Sequence, residues 1–246
     1  NEYVARTQSF LQSGKPDNDV LVYYPLADRY SIPEKDLLQH FDGMGREFAG
    51  TDFEKRSAWM LAHDYAFDFF SDKQLQNISN AGNDLMTGGN KYQTILLPAI
   101  EYIPVESFQK IFTLAKNGAT ILVYKKMPKD VPGFSNLDRN SASFKSLISQ
   151  LNFTDVEGIQ TAQIGKGRFL LSDDMDVLLK KAGIRTESLH DHRLEYTRRK
   201  NADGTTYFLN NRGAKEINGW VSLNAKAASV AMFDAMTGKS GMTNMK

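Results

Sequence analysis

The chain predicts an α/β domain with a doubly wound parallel sheet, followed by a small β-rich segment resembling part of a sandwich. Three observations carry this. "DVLVYYPLA" (19–27), "TILLPA" (94–99) and "ATILVYKKM" (119–127) are apolar runs of the kind that form strands covered on both faces. The last two are separated by one amphipathic helical stretch, which by default makes a right-handed crossover between parallel strands. Beyond about residue 190 the helical crossovers cease and short alternating stretches take over.

The elements follow in order. "YVARTQSFLQSGKP" (3–16) has apolar positions at helical spacing and stops at Gly14 and Pro16. Val20 to Tyr24 is the first strand. Residues 27–60 are the least regular, with a short helical pattern in "PEKDLLQHF" (33–41) and punctuation at Gly43, Gly45 and Gly50. "FEKRSAWMLAHDY" (53–65) is helical, with Phe53, Ala58, Leu61 and Ala62 near one face. "AFDFFS" (66–71) is a short strand, and Ser71 with Asp72 caps the helix "DKQLQNI". Pro104 sits in the first turn of the next helix, whose apolar face is Phe108, Ile111, Phe112 and Ala115 and whose end is Gly118.

After the loop 128–142, "SFKSLISQLN" aligns Phe144, Leu147, Ile148 and Leu151 as a helical face. "GKGRFLLSD" is a strand and "MDVLLKKAG" a helix closed by Gly183, so the alternation from 19 to about 184 places helices on both faces of one sheet. "LEYTRRKNADGTTYFLNNRG" is a hairpin around Asp203-Gly204, and "NGWVSLNAKAASVAMFDAMTG" continues the β pattern. The expected divisions are 1–18, a linker helix from a preceding domain; 19–188, the α/β domain; and 189–246, an incomplete β-rich domain.

Composition narrows the function classes. The 246 residues are 41% hydrophobic and 24% charged, the balance of a soluble globular chain that can bury a core. Thirty basic against twenty-nine acidic residues leave a net charge of +1, so no global field draws in nucleic acid or an anionic membrane. There is no cysteine, which removes disulfides, thiolate metal sites and cysteine nucleophiles. No window approaches ~18 consecutive apolar residues, so no transmembrane helix is expected. The start, "NEYVARTQSF", has neither an initiator methionine nor a signal pattern and reads as a processed or excised piece.

Few motifs carry chemistry. "TGKS" (237–240) lacks the earlier glycine of a phosphate loop, since Phe233 stands there. "GKGRFL" has Leu170 where a dinucleotide fingerprint needs its third glycine, and it precedes a strand instead of following one, which favours a tight turn. In "LHDH", His190 and His192 would share one face of a strand, but no third metal ligand stands nearby. No Gly-x-Ser-x-Gly elbow occurs. Ligands of open parallel sheets meet the carboxyl ends of the strands, which here present Asp28, Ser71, Asp72, Glu101 and Tyr102. Trp59 and Trp220 could stack on sugar rings. The substrate-binding candidates are therefore Asp28, Trp59, Asp72, Glu101 and Tyr102, with loop capping as the competing role. No catalytic residue, metal ligand or cofactor is assigned. Asn77 and Asn152 begin glycosylation triplets.

Taken in order, "ARTQSFLQSGKPDNDVLVYYP", "HDYAFDFFSDKQL", "KYQTILLPAIEYIPVESFQKIFTLAKNGATILVYKKMP", "IGKGRFLLS", "YTRRKNADGTTYFLNNRG" and "VAMFDAMTGKSG" resemble the downstream part of large bacterial glycoside hydrolases of family 106, the α-L-rhamnosidases. The resemblance implies a glutaminase-like or flavodoxin-like α/β domain and the start of a β-sandwich. It also implies a catalytic barrel lying before Asn1, with a glutamate acid and base assisted by calcium. In "FDAMTGKSG", Phe233 and Ala235 stand where family members carry tryptophan and proline. The implied function is an accessory region of a polysaccharide-cleaving glycosidase, periplasmic or secreted. Its implied partners are the barrel of the same polypeptide and an oligo- or polysaccharide, with no nucleic acid and no membrane. The competing classes are a non-catalytic carbohydrate-binding or oligomerisation module and an independent small-molecule enzyme.

Overall fold

Two sets of residues form separate compact units, Asp19–Arg185 and the pair of segments Asn1–Asn18 and Thr186–Lys246. The computed structural model describes residues 2–31 and 48–246. The helical pattern read in 33–41 and the glycines at 43 and 45 lie outside the described residues.

The chain opens with α1 (Glu2–Gln12) and a two-residue strand β1 (Lys15–Pro16) of the second unit. The first unit then runs β2 (Val20–Tyr23), α2 (Leu26–Tyr30), α3 (Asp52–Ala62), β3 (Phe67–Phe70), α4 (Asp72–Leu75), β4 (Ser79–Ala81), β5 (Asp84–Thr87), β6 (Asn90–Tyr92) and β7 (Thr94–Leu97). It continues with α5 (Val105–Lys116), β8 (Thr120–Tyr124), α6 (Leu137–Ile148), β9 (Thr154–Val156), β10 (Ile159–Ile164), β11 (Gly167–Ser172) and α7 (Met175–Lys181).

The central sheet has the order β3-β2-β7-β8-β11-β10-β9. Its first five strands are parallel, and β10 and β9 add antiparallel at one edge. Every residue of β2 and β7 is buried, as continuous apolar runs require when helices cover both faces. Successive residues point to opposite faces. Leu21, Tyr23, Ile95, Leu97, Ile121 and Val123 pack with Phe108, Ile111 and Phe112 of α5 and Phe144 and Leu147 of α6. Val20, Val22, Leu96, Leu122 and Tyr124 pack with Phe53 and Met60 of α3 and Met175, Leu178 and Leu179 of α7.

Among the described residues, the predicted helices and the parallel strands stand where the periodicity puts them. Thr51 caps α3 by accepting from the Glu54 N–H at 3.3 Å, and Ser71 forms a capping box with Gln74 at α4. Two antiparallel features have no counterpart among the expectations: the small sheet β4-β5-β6 and the β9–β10 edge. "GKGRFL" is a tight turn, joining β10 to β11. A side chain at Gly165 would meet the Lys116 carbonyl at 2.3 Å, and one at Gly167 the Ala119 carbonyl at 2.3 Å. Both glycines let the turn lie against the end of α5.

In the second unit β1 pairs with β12 (Leu194–Lys200), which forms a hairpin with β13 (Thr205–Asn211) around Asp203-Gly204. Residues 1–18, expected as a linker from a preceding domain, thus share a sheet with the tail: Lys15 and Pro16 lie opposite Lys200 and Arg199. The histidine expectation is corrected. His190–His192 is a 3-10 turn, closed by Arg193 at φ 58°, and the strand begins only at Leu194, so the two imidazoles are not strand neighbours on one face. A last hairpin joins β14 (Val230–Phe233) to β15 (Ser240–Thr243). Its turn contains "TGKS", and the Asp234 carboxylate accepts from the Met236 N–H and the Thr237 hydroxyl. Between β13 and β14 the chain has no regular secondary structure.

Candidate functional site at the carboxyl edge of the sheet

In the first unit the strand order reverses between β2 and β7, because β2 leads outward to β3 and β7 to β8. Such a switch point opens a crevice outside the carboxyl ends of the strands. The loops after β2, β7 and β8 meet there.

Asp28, on α2, accepts from the backbone N–H groups of Glu101 at 2.6 Å and Tyr102 at 2.8 Å. One carboxylate therefore ties the loop after β2 to the loop after β7. Glu101 pairs with Lys126, and its carbonyl accepts from the N–H groups of Lys129 and Asp130, which fastens the loop after β8 to the same place. Tyr102 is half-buried and bridges to Asp130. Asp72, at the start of α4, accepts from the Tyr23 phenol at 2.7 Å and from the Ser107 hydroxyl. Burial and then the Asp72 carboxylate push the Tyr23 phenol far above its ordinary pKa, so it stays a donor. Asp130 titrates below the usual carboxylate range, chiefly because Ser141 donates to it and then because the Val131 N–H does.

Four of the five candidates are thus brought to the carboxyl edge. Trp59 is not. Helix α3 starts at that edge, where Asp52 accepts from the Ala99 N–H at 3.3 Å, and Trp59 lies ~10 Å farther along it. There its ring stacks on His63, centroids 3.9 Å apart and planes 19° apart, and lies near-parallel to Tyr65 at 5.9 Å. Trp220, in the second unit, is about half exposed, with the Lys246 ammonium 4.6 Å from its ring centre.

Several residues at the edge escaped sequence reasoning. Asp52 stands one residue before the helical stretch read from Phe53 and carries no motif of its own. Phe134, 96% exposed in the loop after β8, carried only the signal of an aromatic between Pro-Gly and Ser-Asn. Tyr30, at the end of α2, is also exposed. Among the described residues no group of three or more His, Asp or Glu side chains converges as a metal site, and no helix is long and apolar enough to cross a membrane.

A mixed α/β unit of this kind recurs inside large glycosidases. The rhamnosidase of Novosphingobium sp. PP1Y superposes with a TM-score of 0.60 at 22% identity over 85% of this chain and 18% of its own. A family 42 beta-galactosidase of G. stearothermophilus superposes at 0.55, with 11% identity over 96% of this chain and 40% of its own. At these identities the likeness is one of fold. A protein of Formosa agariphila that carries the provisional name beta-glucuronidase is 26% identical over 212 residues, 85% of this chain and 15% of that protein. Residues 1–245 match glycoside hydrolase family 106, described as alpha-L-rhamnosidase, and the chain belongs to that family. It spans less than a fifth of the length of the Formosa protein and of the Novosphingobium rhamnosidase.

Proposed function

We propose that this chain is an accessory region of a larger, α-L-rhamnosidase-like glycosidase of polysaccharides, and that the reacting carboxylates come from outside these residues. One observation carries the reading: among the described residues, Asp28, Asp52, Asp72 and Glu101 at the carboxyl edge already hold the fold together. Asp28 and Asp52 bind backbone N–H groups, Asp72 holds Tyr23 and Ser107, and Glu101 pairs with Lys126. Glycoside hydrolysis needs an acid and a base or nucleophile poised at the scissile bond, and groups committed in this way are poorly placed for it.

The edge instead acts as a scaffold and a rim for the glycan, with Asp28, Asp72, Glu101 and Tyr102 shaping its loops and Tyr30 and Phe134 offering exposed rings. Trp59 takes part only if its stack on His63 opens. The strand order of the five parallel strands supports a flavodoxin-like or glutaminase-like winding. Calcium, if the parent enzyme uses it, belongs to the catalytic part, and a bacterial periplasmic or secreted setting goes with a polysaccharide substrate. The second reading, a carbohydrate-binding module in its own right, is favoured by the exposure of Phe134.

The test is an aryl-glycoside assay on the 246-residue chain beside the full-length parent, with calorimetric titration of L-rhamnose and pectic oligosaccharides. Turnover by the parent alone is expected. Turnover by the chain alone would overturn the reading.

A further inference from the structure

Beside the carboxyl edge, four residues that none of the preceding roles uses together form a cationic cluster. Helix α3 presents Asp52 and, one turn later, Arg56; β8 ends in Tyr124, and Lys125 follows it. The Arg56 guanidinium lies over the Tyr124 ring at 4.9 Å, and the Lys125 ammonium lies 5.1 Å from the same ring centre. Two cations on one ring repel each other. Among the described residues the carboxylate that answers them is Asp52, 3.4 Å from Lys125. The Arg56 Nε is buried and has no hydrogen-bond partner. An unmade bond of this sort on a charged donor is costly. Lys125 also has a left-handed backbone, φ 66°, which a lysine rarely adopts and which turns the chain just after the strand.

We propose that Arg56 and Lys125 form a receptor for an oxyanion carried by a sugar chain, a carboxylate or a sulfate ester, with Tyr124 as the platform on which both cations rest. The bound anion accepts from the outer nitrogens of the Arg56 guanidinium and from the Lys125 ammonium. A planar guanidinium suits such oxyanions because it donates in a fixed fork. The proposal rests on the reading of the carboxyl edge as a glycan rim and names the kind of glycan it takes.

The test is calorimetric titration of the 246-residue chain with three probes: an oligogalacturonate, the same oligosaccharide fully methyl-esterified, and a sulfated galactan oligosaccharide free of uronate. Arg56→Gln and Lys125→Asn are compared with the wild-type chain, Asn being chosen because it tolerates the left-handed backbone. Circular dichroism confirms that each variant is folded. The expected result is acid over ester by at least ~10-fold, weakened by salt and abolished in both variants. Preference for the sulfated probe, equally lost in the variants, supports the site and identifies sulfate as its anion. Equal affinity for acid and ester, unchanged in the variants, overturns the anion site and leaves the glycan rim intact. Absence of binding by every probe overturns both.

Discussion

The two units are built from opposite resources. Asp19–Arg185 buries strands on both faces under α3, α5, α6 and α7, and Ile95, Leu96, Phe108, Ile111, Ile121 and Phe169 are sealed from solvent. In the other unit Leu189 and Leu194 are the apolar side chains that are buried among the described residues, while Trp220, Met232, Phe233, Met236 and Met242 stand exposed. What it buries instead is charge. Glu187 and Arg198, with side chains 0% and 1% exposed, pair at 2.7 Å. Glu187 also accepts from the Tyr207 phenol and the Asn224 N–H, and Arg198 donates to the Asp17 carbonyl. One unit is held by area removed from water, the other by a polar network whose members must all be present.

The two tryptophans allow the contrast to be tested, since Trp59 reports on the first unit and Trp220 on the second. Phe108→Ala, at the centre of the first core, is expected to cost about 3–5 kcal/mol in the urea unfolding transition seen through Trp59. Glu187→Ala removes the fully buried one of the two carboxylates beside Arg198, leaving Asp17 at 3.0 Å, and is expected to cost about 3 kcal/mol in the transition seen through Trp220. Replacing both partners, as Glu187→Leu with Arg198→Met, is expected to recover much of that loss. If it does not, the network contributes more than the relief of its own desolvation. A single transition common to both tryptophans in every variant would erase the distinction between the units.

Smaller effects sharpen the comparison. Asp28→Ala removes the acceptor of two backbone donors and is expected to cost about 1–3 kcal/mol, with faster hydrogen exchange at the Glu101 and Tyr102 amides. Met232→Ser, on the exposed hairpin, is expected to stay within about 0.5 kcal/mol. The smallest effect is that of acid. The Asp130 carboxyl is held below its ordinary value in the fold, so its contribution is complete above the unfolded pKa of about 4 and is lost as pH falls through the folded value. Asp130→Asn should therefore flatten that part of the acid limb in a pH series of urea midpoints and leave stability at neutral pH lower.

The sequence by itself determined the parallel strands, the helices between them, the hairpin at Asp203-Gly204 and the family resemblance, because burial periodicity and turn chemistry are local. "TILLPA" could hardly be placed other than under two layers of helices. The short sheet β4-β5-β6 and the β9–β10 edge were harder to read, since strands of three to six residues with mixed polarity carry little periodic signal. At the candidate edge, Asp28, Asp72, Glu101 and Tyr102 were legible from their places after strands or at helix starts. Only the tertiary structure decided that Trp59 lies away from that edge, that Asp28 reaches the amides of 101 and 102, that Arg56 shares the Tyr124 ring with Lys125, and that Glu187 meets Arg198. These pairings join residues far apart in the chain or on different elements. The spacing of side chains along one segment carries no information about which distant segment will lie against it.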